Sequence, residues 1–368
     1  MSNVGQEESM NIRPAVRRLT RKSYEAESEP AKGDVLDCAL GRNSFGTSPK
    51  VVEFAKHYDW SELWHHPDTS YRDLKQQICH FWSDYADLTV ANIKVANGSC
   101  VVLSRLNKLF IEPGVKVLGY MPQFKEYMVE VMVLGGNYEA VPLDPRENFR
   151  FNPDRLLSRI KPDHCIVYID NPNNPTGQLI SLSDIETIVK EAARKDIVVI
   201  IDEAYGDYVE EKYSAVNLIN KYKNLVVTRT FTKGYGIGRF RVGYAILPTE
   251  LGDYYNRIEL PFSVSTLGAA LAREAILDQD FILSLRQQVK IEKEKLTQGL
   301  SQRGYLIGET CDSCPIFIVG HKAESVDLKE ELLSKGILTT SGTDWKNLGK
   351  NYVRVNTPPR AEDFLARR

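Results

Sequence analysis

Lys233 lies in the stretch Arg229-Thr-Phe-Thr-Lys-Gly-Tyr-Gly-Ile-Gly-Arg-Phe-Arg241, between hydroxyl residues and a glycine-rich turn and eight residues before Arg241. An amine in this company can form a Schiff base with a carbonyl, while the hydroxyls and the guanidinium hold an anionic group on the same molecule. Two other segments carry compatible groups. Asn171-Pro-Asn-Asn-Pro-Thr-Gly177 has a turn composition that fixes several backbone dihedrals and projects amides outward. Asp202-Glu-Ala-Tyr205 closes an apolar run, so a carboxylate stands at the rim of the core, where burial raises its pKa unless a cation pairs with it. An acid, an amide, a tyrosine and a lysine together suit a flat, charged heteroaromatic. Taken singly, each has a plainer reading: Lys233 as a surface lysine, Asp202 as a helix cap, Phe124 as core, Arg354 as a surface ion pair. The joint arrangement favours chemistry.

These groups need strands that end together. Cys165–Ile169, Ile197–Ile201 and Asn224–Phe231 read as buried strands, each directly followed by one of the three segments. From residue 93 the pattern alternates. Strands are expected over Ile93–Ala96, Val115–Met121, Tyr138–Leu143 and Val242–Leu247, with helices over Val101–Phe110, Lys125–Val133 and Leu182–Arg194. This implies an α/β fold with a mainly parallel central sheet, whose chemistry sits at the carboxyl ends of its strands. Upstream, Val35–Leu40 is strand-like, and Pro49–Lys56 and Tyr71–Trp82 have helical spacing. After Pro261 come long amphipathic helices over Thr266–Leu277 and Phe281–Arg303. A smaller α+β unit follows, with strands at 315–320 and Tyr352–Asn356, a helix at Val326–Lys335 and a partial helix at Arg360–Arg368. The expected division is an arm at 1–33, a small domain from 34–50 and 262–368, and a large domain at 51–261, with the active site between the domains.

Composition narrows the class. Lys and Arg total 47 against 49 Asp and Glu, which excludes nucleic acid or an anionic membrane as the main partner. No apolar run is long enough for a membrane span and the amino terminus is too polar for a secretory signal, so a cytoplasmic protein is expected. The arm carries no sustained period and is expected to be flexible or to pack only on a partner. Cys311-Asp-Ser-Cys314 reads as the edge of strand 315–320, and His65-His66 lacks ligands at metal spacing, so no metal site is expected.

Asn174-Pro-Thr-Gly177, Asp202-Glu-Ala-Tyr205, Thr230-Phe-Thr-Lys233 and Arg241, in this order and spacing, resemble the signature of fold-type-I, pyridoxal-phosphate-dependent aminotransferases of class I/II, in particular the histidinol-phosphate aminotransferase-like subgroup. The resemblance runs from about Leu36 to Phe364. It implies that Lys233 carries pyridoxal 5'-phosphate and moves the substrate proton, that Asp202 pairs with the pyridine nitrogen, and that Asn174 and Tyr205 bond the phenolic oxygen. It also implies that Phe124 stacks on the ring, that Gly98, Ser99, Cys100, Thr230, Thr232 and Arg241 hold the phosphate, and that Arg354 and Asn43 contact the substrate. His66 or Tyr71 is expected to reach the phosphate of a second subunit, in a homodimer.

Departures from the subgroup bear on substrate. Thr340 stands where the resemblance implies an arginine for a substrate phosphate, and Arg42 and Arg239 are candidate replacements. The expected activity is transfer of an amino group between an amino acid or amine and a 2-oxo acid. The alternatives are a decarboxylase or lyase of the threonine-phosphate decarboxylase type and a cofactor-binding regulatory scaffold.

Overall fold

Burial against helices on both faces is what the valine- and isoleucine-rich strands require, and the computed structural model, which describes residues 11–19, 34–62 and 64–367, meets that requirement. The helices are α1 (Pro14–Arg17), α2 (Pro49–Lys56), α3 (Arg72–Phe81), α4 (Ser99–Phe110), α5 (Lys125–Val133), α6 (Pro153–Leu157), α7 (Leu182–Ala193), α8 (Thr249–Asn256), α9 (Thr266–Leu277), α10 (Gln279–Gln302), α11 (Leu328–Ser334) and α12 (Ala361–Leu365). The strands are β1 (Leu36–Asp37), β2 (Ile93–Ala96), β3 (Lys116–Met121), β4 (Asn137–Pro142), β5 (His164–Asp170), β6 (Val198–Asp202), β7 (Leu225–Thr230), β8 (Gly243–Ile246), β9 (Leu306–Ile307), β10 (Ile316–Gly320), β11 (Ile337–Leu338), β12 (Thr340–Ser341) and β13 (Tyr352–Asn356).

Among the described residues, seven strands form a sheet in the order β2-β8-β7-β6-β5-β3-β4. All run parallel except β8, which is antiparallel to both β2 and β7. Strand alternation sorts the side chains. Ile166, Tyr168, Ile200 and Val226 face Val102 and Leu106 of α4 and Tyr127 of α5. Val167, Ile169, Val199, Ile201 and Val227 share the opposite core with Ile185, Ile188 and Val189 of α7. Residues paired across parallel strands point to one face, and Asp170 pairs with Asp202, which pairs with Thr228. Both carboxylates therefore face α4 and α5.

A second sheet, β12-β13-β10-β9, is antiparallel, and β1 pairs in parallel with β11. Helix α9, expected in the smaller unit, packs on α2 and α3. Helix α10 passes between the two regions: Ile282, Leu285 and Val289 enter the main core, while Leu296 and Leu300 join Phe317 and Val353. Its Lys293 is buried, and its Nζ donates to the carbonyls of Cys311 and Cys314 at 2.7 and 2.8 Å. The Cys311–Cys314 loop thus serves as an acceptor cage for a lysine.

Part of the arm corrects the expectation that it stays loose or packs only on a partner. Helix α1 lies against α5, and Arg13 Nη2 donates to the Val133 carbonyl at 3.1 Å; residues 1–10 and 20–33 lie outside the described residues. Helices α6 and α8 were not foreseen, although Asn152 before Pro153 is a start signal: its Oδ1 accepts from Arg155 N at 3.2 Å. Among the described residues, no helix is long and apolar enough to cross a membrane.

On the face of β6 and β7 opposite the two carboxylates, Arg229 is buried and bonds Glu203 at 2.6 Å and Asp207 at 2.8 Å, its guanidinium lying 5.0 Å from the Trp82 ring. Burial raises the pKa of Glu203 and Asp207, and the Arg229 charge opposes that. Removing the cation strands two carboxylates in the core. Arg229→Met is expected to cost about 3–5 kcal/mol of stability at neutral pH, read from the urea midpoint. Part of that loss should return at low pH, where the carboxyls take up protons. A midpoint unchanged across the pH range would show that the cluster contributes nothing.

Candidate active site

The carboxyl ends of β5, β6 and β7 and the amino terminus of α4 surround a cavity of about 270 Å3. Its lining includes Ser99, Cys100, Phe124, Asn174, Asp202, Tyr205, Thr230, Thr232, Lys233, Arg241 and Arg354. Eleven of the residues expected from sequence thus meet at one place. Gly98 borders it, with φ of +88°, as the residue before α4. A side chain at Gly98 would collide with Arg241, since a Cβ there would stand 2.6 Å from Nη2. Arg241 itself adopts a left-handed conformation, φ 54°, and its Nη1 donates to the Gly238 carbonyl at 3.2 Å and to Thr232 Oγ1 at 3.4 Å. Thr230 Oγ1 donates to Thr232 Oγ1 at 2.9 Å. Free N–H groups at the start of α4, two hydroxyls and a guanidinium make a site for a phosphate.

Asp202 is buried and lines the same cavity. The Tyr168 hydroxyl donates to its Oδ2 at 2.9 Å and Thr228 Oγ1 to its Oδ1 at 3.0 Å. Burial pushes its pKa up to about 6, opposed by the Tyr168 bond and reinforced by the charge of Asp170. Such a carboxylate gains from a cationic N–H partner, which a protonated pyridine provides. Lys233, partly shielded from solvent, donates from Nζ to the Gly41 carbonyl and lies 5.1 Å from the Tyr205 ring centre. Its pKa falls to about 8, through desolvation first and then the nearby Arg354 charge. A lysine lowered this far has an appreciable fraction of free amine near neutral pH, the form that attacks a carbonyl.

Arg354 crosses from β13 toward the large sheet. Its Nη1 donates to Asn174 Oδ1 at 3.0 Å, and its Nη2 to the Ala39 carbonyl at 2.6 Å and to Thr340 Oγ1 at 3.2 Å. Among the described residues its buried Nε has no hydrogen-bond partner, so the guanidinium has a donor to spare for a carboxylate. The donor set and the space beside Gly41 and Gly98 fit a phosphorylated pyridine.

Three expected site residues lie elsewhere. Asn43 spends its amide on the chain: Nδ2 donates to the Gly234 carbonyl at 2.8 Å and Oδ1 accepts from Phe45 N at 2.9 Å. It ties the amino-terminal segment to the Lys233 loop and does not line the cavity. The Tyr71 hydroxyl accepts from Val264 N at 3.0 Å within its own chain. His66 is exposed, its ring 4.9 Å from that of Phe262. Arg42 pairs with Asp37 at 2.7 Å and Arg239 is exposed, and neither lines the cavity. Sequence reasoning missed Gly41, whose carbonyl receives the lysine, and Tyr168 and Thr228, which hold Asp202. The last two were legible: each lies on the Asp202 face, Thr228 paired with it and Tyr168 two residues before its partner Asp170 on β5.

Residues 33–363 match the family described as aminotransferase class I and II. Histidinol-phosphate aminotransferase 2 of Methylococcus capsulatus is 30% identical over 364 residues, covering 96% of each chain. The histidinol-phosphate aminotransferase of Methanococcoides burtonii is 31% identical over 323 residues, 87% of this chain and 85% of its own. The structure of histidinol-phosphate aminotransferase from Sinorhizobium meliloti in complex with pyridoxal-5'-phosphate superposes with a TM-score of 0.84 at 21% identity, over 98% of this chain and 96% of that one. An aspartate aminotransferase from Thermotoga maritima gives 0.80 at 22% identity over 91% of each chain, a likeness of fold. A match over nearly the whole described length, joined to a cavity that gathers a lysine, an acid and a phosphate cradle, places this chain in the class I and II aminotransferase family, a pyridoxal-phosphate-dependent transaminase of fold type I.

Proposed function

We propose that the enzyme moves an amino group between an unphosphorylated α-amino acid and a 2-oxo acid. The observation that carries this is Arg354, with its spare donor, facing the same cavity as a lysine whose pKa is lowered to about 8. Pyridoxal phosphate, when bound, supplies an aldehyde and an electron sink. Asp202 would hold a proton at the ring nitrogen, and Tyr205 and Asn174 would orient the ring edge. The arginine fork of Arg354 would fix the substrate carboxylate, which leaves the α-hydrogen within reach of Lys233 Nζ. Lys233 Nζ would take that proton from the α-carbon and deliver it to the carbon that the cofactor's aldehyde supplies.

The relatives are named for histidinol phosphate. In this chain Thr340 is neutral, donating its hydroxyl to the Ala39 carbonyl at 2.8 Å, and among the described residues the cations lining the cavity are Lys233, Arg241 and Arg354. With Arg241 on the cofactor phosphate and Arg354 on a carboxylate, no lining cation is left for a second phosphate, which favours an uncharged side chain.

The proposed state is a cytoplasmic homodimer. Trp64 is 79% exposed and Leu260 66% exposed, and the contact of His66 with Phe262 joins their two segments into one apolar surface. Tyr71 is occupied by Val264, so His66 is the residue we assign to the partner's cofactor phosphate.

Uptake of pyridoxal phosphate by the apoprotein should speed up with pH and reach half its maximum near the Lys233 value of about 8, measured by stopped-flow absorbance. A half-point at ordinary lysine values would mean that the attacking amine is unperturbed. Arg354→Ala should raise KM for amino-acid donors at least about tenfold and leave amines lacking a carboxylate unaffected. Equal effects on both would assign the carboxylate to another group. In sedimentation, the double variant Trp64→Glu, Leu260→Glu should be monomeric and bind cofactor more weakly; a dimer of normal affinity would place the interface elsewhere.

A further inference from the structure

Asp170 has no part in the chemistry above, yet it is 3% exposed and lines the cavity beside Asp202. Its Oδ1 accepts from the Tyr120 hydroxyl and from Asn173 Nδ2, both at 2.9 Å. Its Oδ2 accepts from the backbone N–H of Phe124 at 3.1 Å and of Asn174 at 2.9 Å. The donors come from β3, from the loop after β3 and from the loop after β5. Burying a carboxylate among neutral donors is costly unless every lone pair is used, and here each oxygen receives two bonds.

What distinguishes Asp170 from a generic loop tie is the sharing of one oxygen. Phe124 forms an aromatic wall of the cavity, and Asn174 accepts through Oδ1 from Arg354 at 3.0 Å. Because both backbone N–H groups converge on Oδ2, neither residue can shift without moving or losing the other. We infer that Asp170 is a positioning residue: through a single carboxylate oxygen it locks the wall at Phe124 to the Asn174–Arg354 pair, so that the tilt of the cofactor ring and the grip on the substrate carboxylate are set together. This rests on the assignment of the cavity to pyridoxal phosphate.

The test compares Asp170→Ala with Asp170→Asn in the full chain. The amide oxygen of Asn can still accept from both N–H groups, whereas Ala offers none. Asp170→Ala should raise the dissociation constant for pyridoxal phosphate about tenfold or more, reduce the visible circular dichroism of the bound cofactor and raise KM for amino-acid donors. Asp170→Asn should recover most of the affinity and the dichroism. A merely structural role would lower the melting temperature of both variants and leave the dichroism of the bound fraction unchanged. That result, or an Ala variant that binds like the wild type, would overturn the inference. Should neither variant fold, amide hydrogen exchange in the wild-type apoprotein serves instead: slow exchange at both Phe124 and Asn174 supports the lock, and fast exchange at either removes it. Wild-type cofactor binding is measured first. Its failure would sink the cofactor assignment and the inference together, whereas the variant results bear on Asp170 alone.

Discussion

Two carboxylates stand side by side at the carboxyl edge of the sheet, because Asp170 and Asp202 are register partners on adjacent parallel strands. Like charges this close in a shielded site cannot both be left bare. The two solve the problem differently. Asp170 takes four neutral donors that tie together two loops and β3, while Asp202 is held by Tyr168, Thr228 and the backbone of Ala204 and faces the cavity. The cavity is shaped by that difference: one acid is consumed in holding walls, and the other, under the proposed function, would meet a ring nitrogen.

Alternation along the strands extends the same logic through the sheet. Asp202 and Glu203 are adjacent, so they face opposite sides, Asp202 toward the cavity and Glu203 toward Arg229. Arg229 also binds Asp207, and the absent side chain of Gly234 lets the Lys233 loop approach Asp207, where a Cβ would stand 2.3 Å from that of the aspartate. The buried ion cluster on one face therefore supports the loop that delivers the lysine to the other. Asn43 reaches the same loop from the amino-terminal segment through the Gly234 carbonyl.

Much of this was legible in the sequence. The strands carrying Asp170, Asp202 and Thr230 announced themselves through apolar runs rich in β-branched residues, and the α/β order followed from their alternation with helices. Lys233, Asp202, Asn174 and Arg241 were recognisable because their spacing is a joint pattern. What stayed hidden depends on long-range contact. That the Asn43 amide is consumed by Gly234, 191 residues away, or that the Tyr71 hydroxyl is consumed by Val264, 193 residues away, leaves no trace in local periodicity. Asp170 was passed over for a related reason: a carboxylate at the end of an apolar strand looks like a boundary until its four donors are seen converging from three segments.

The electrostatics of the cavity also explain why the anion sites and the proton carrier belong together. Lys233 is lowered by desolvation and by the uncompensated charges of Arg354 and Arg241, with Asp202 pulling the other way. Under the proposed function, a phosphate at Arg241 and a carboxylate at Arg354 would cancel the two cations that oppose protonation of the amine. Proton affinity at Nζ must therefore rise as the site fills. On that reading the amine would be least basic in the empty site and most basic once both anions are bound. The same two arginines would then set the change by themselves, with no rearrangement of the lysine's neighbours needed to produce it.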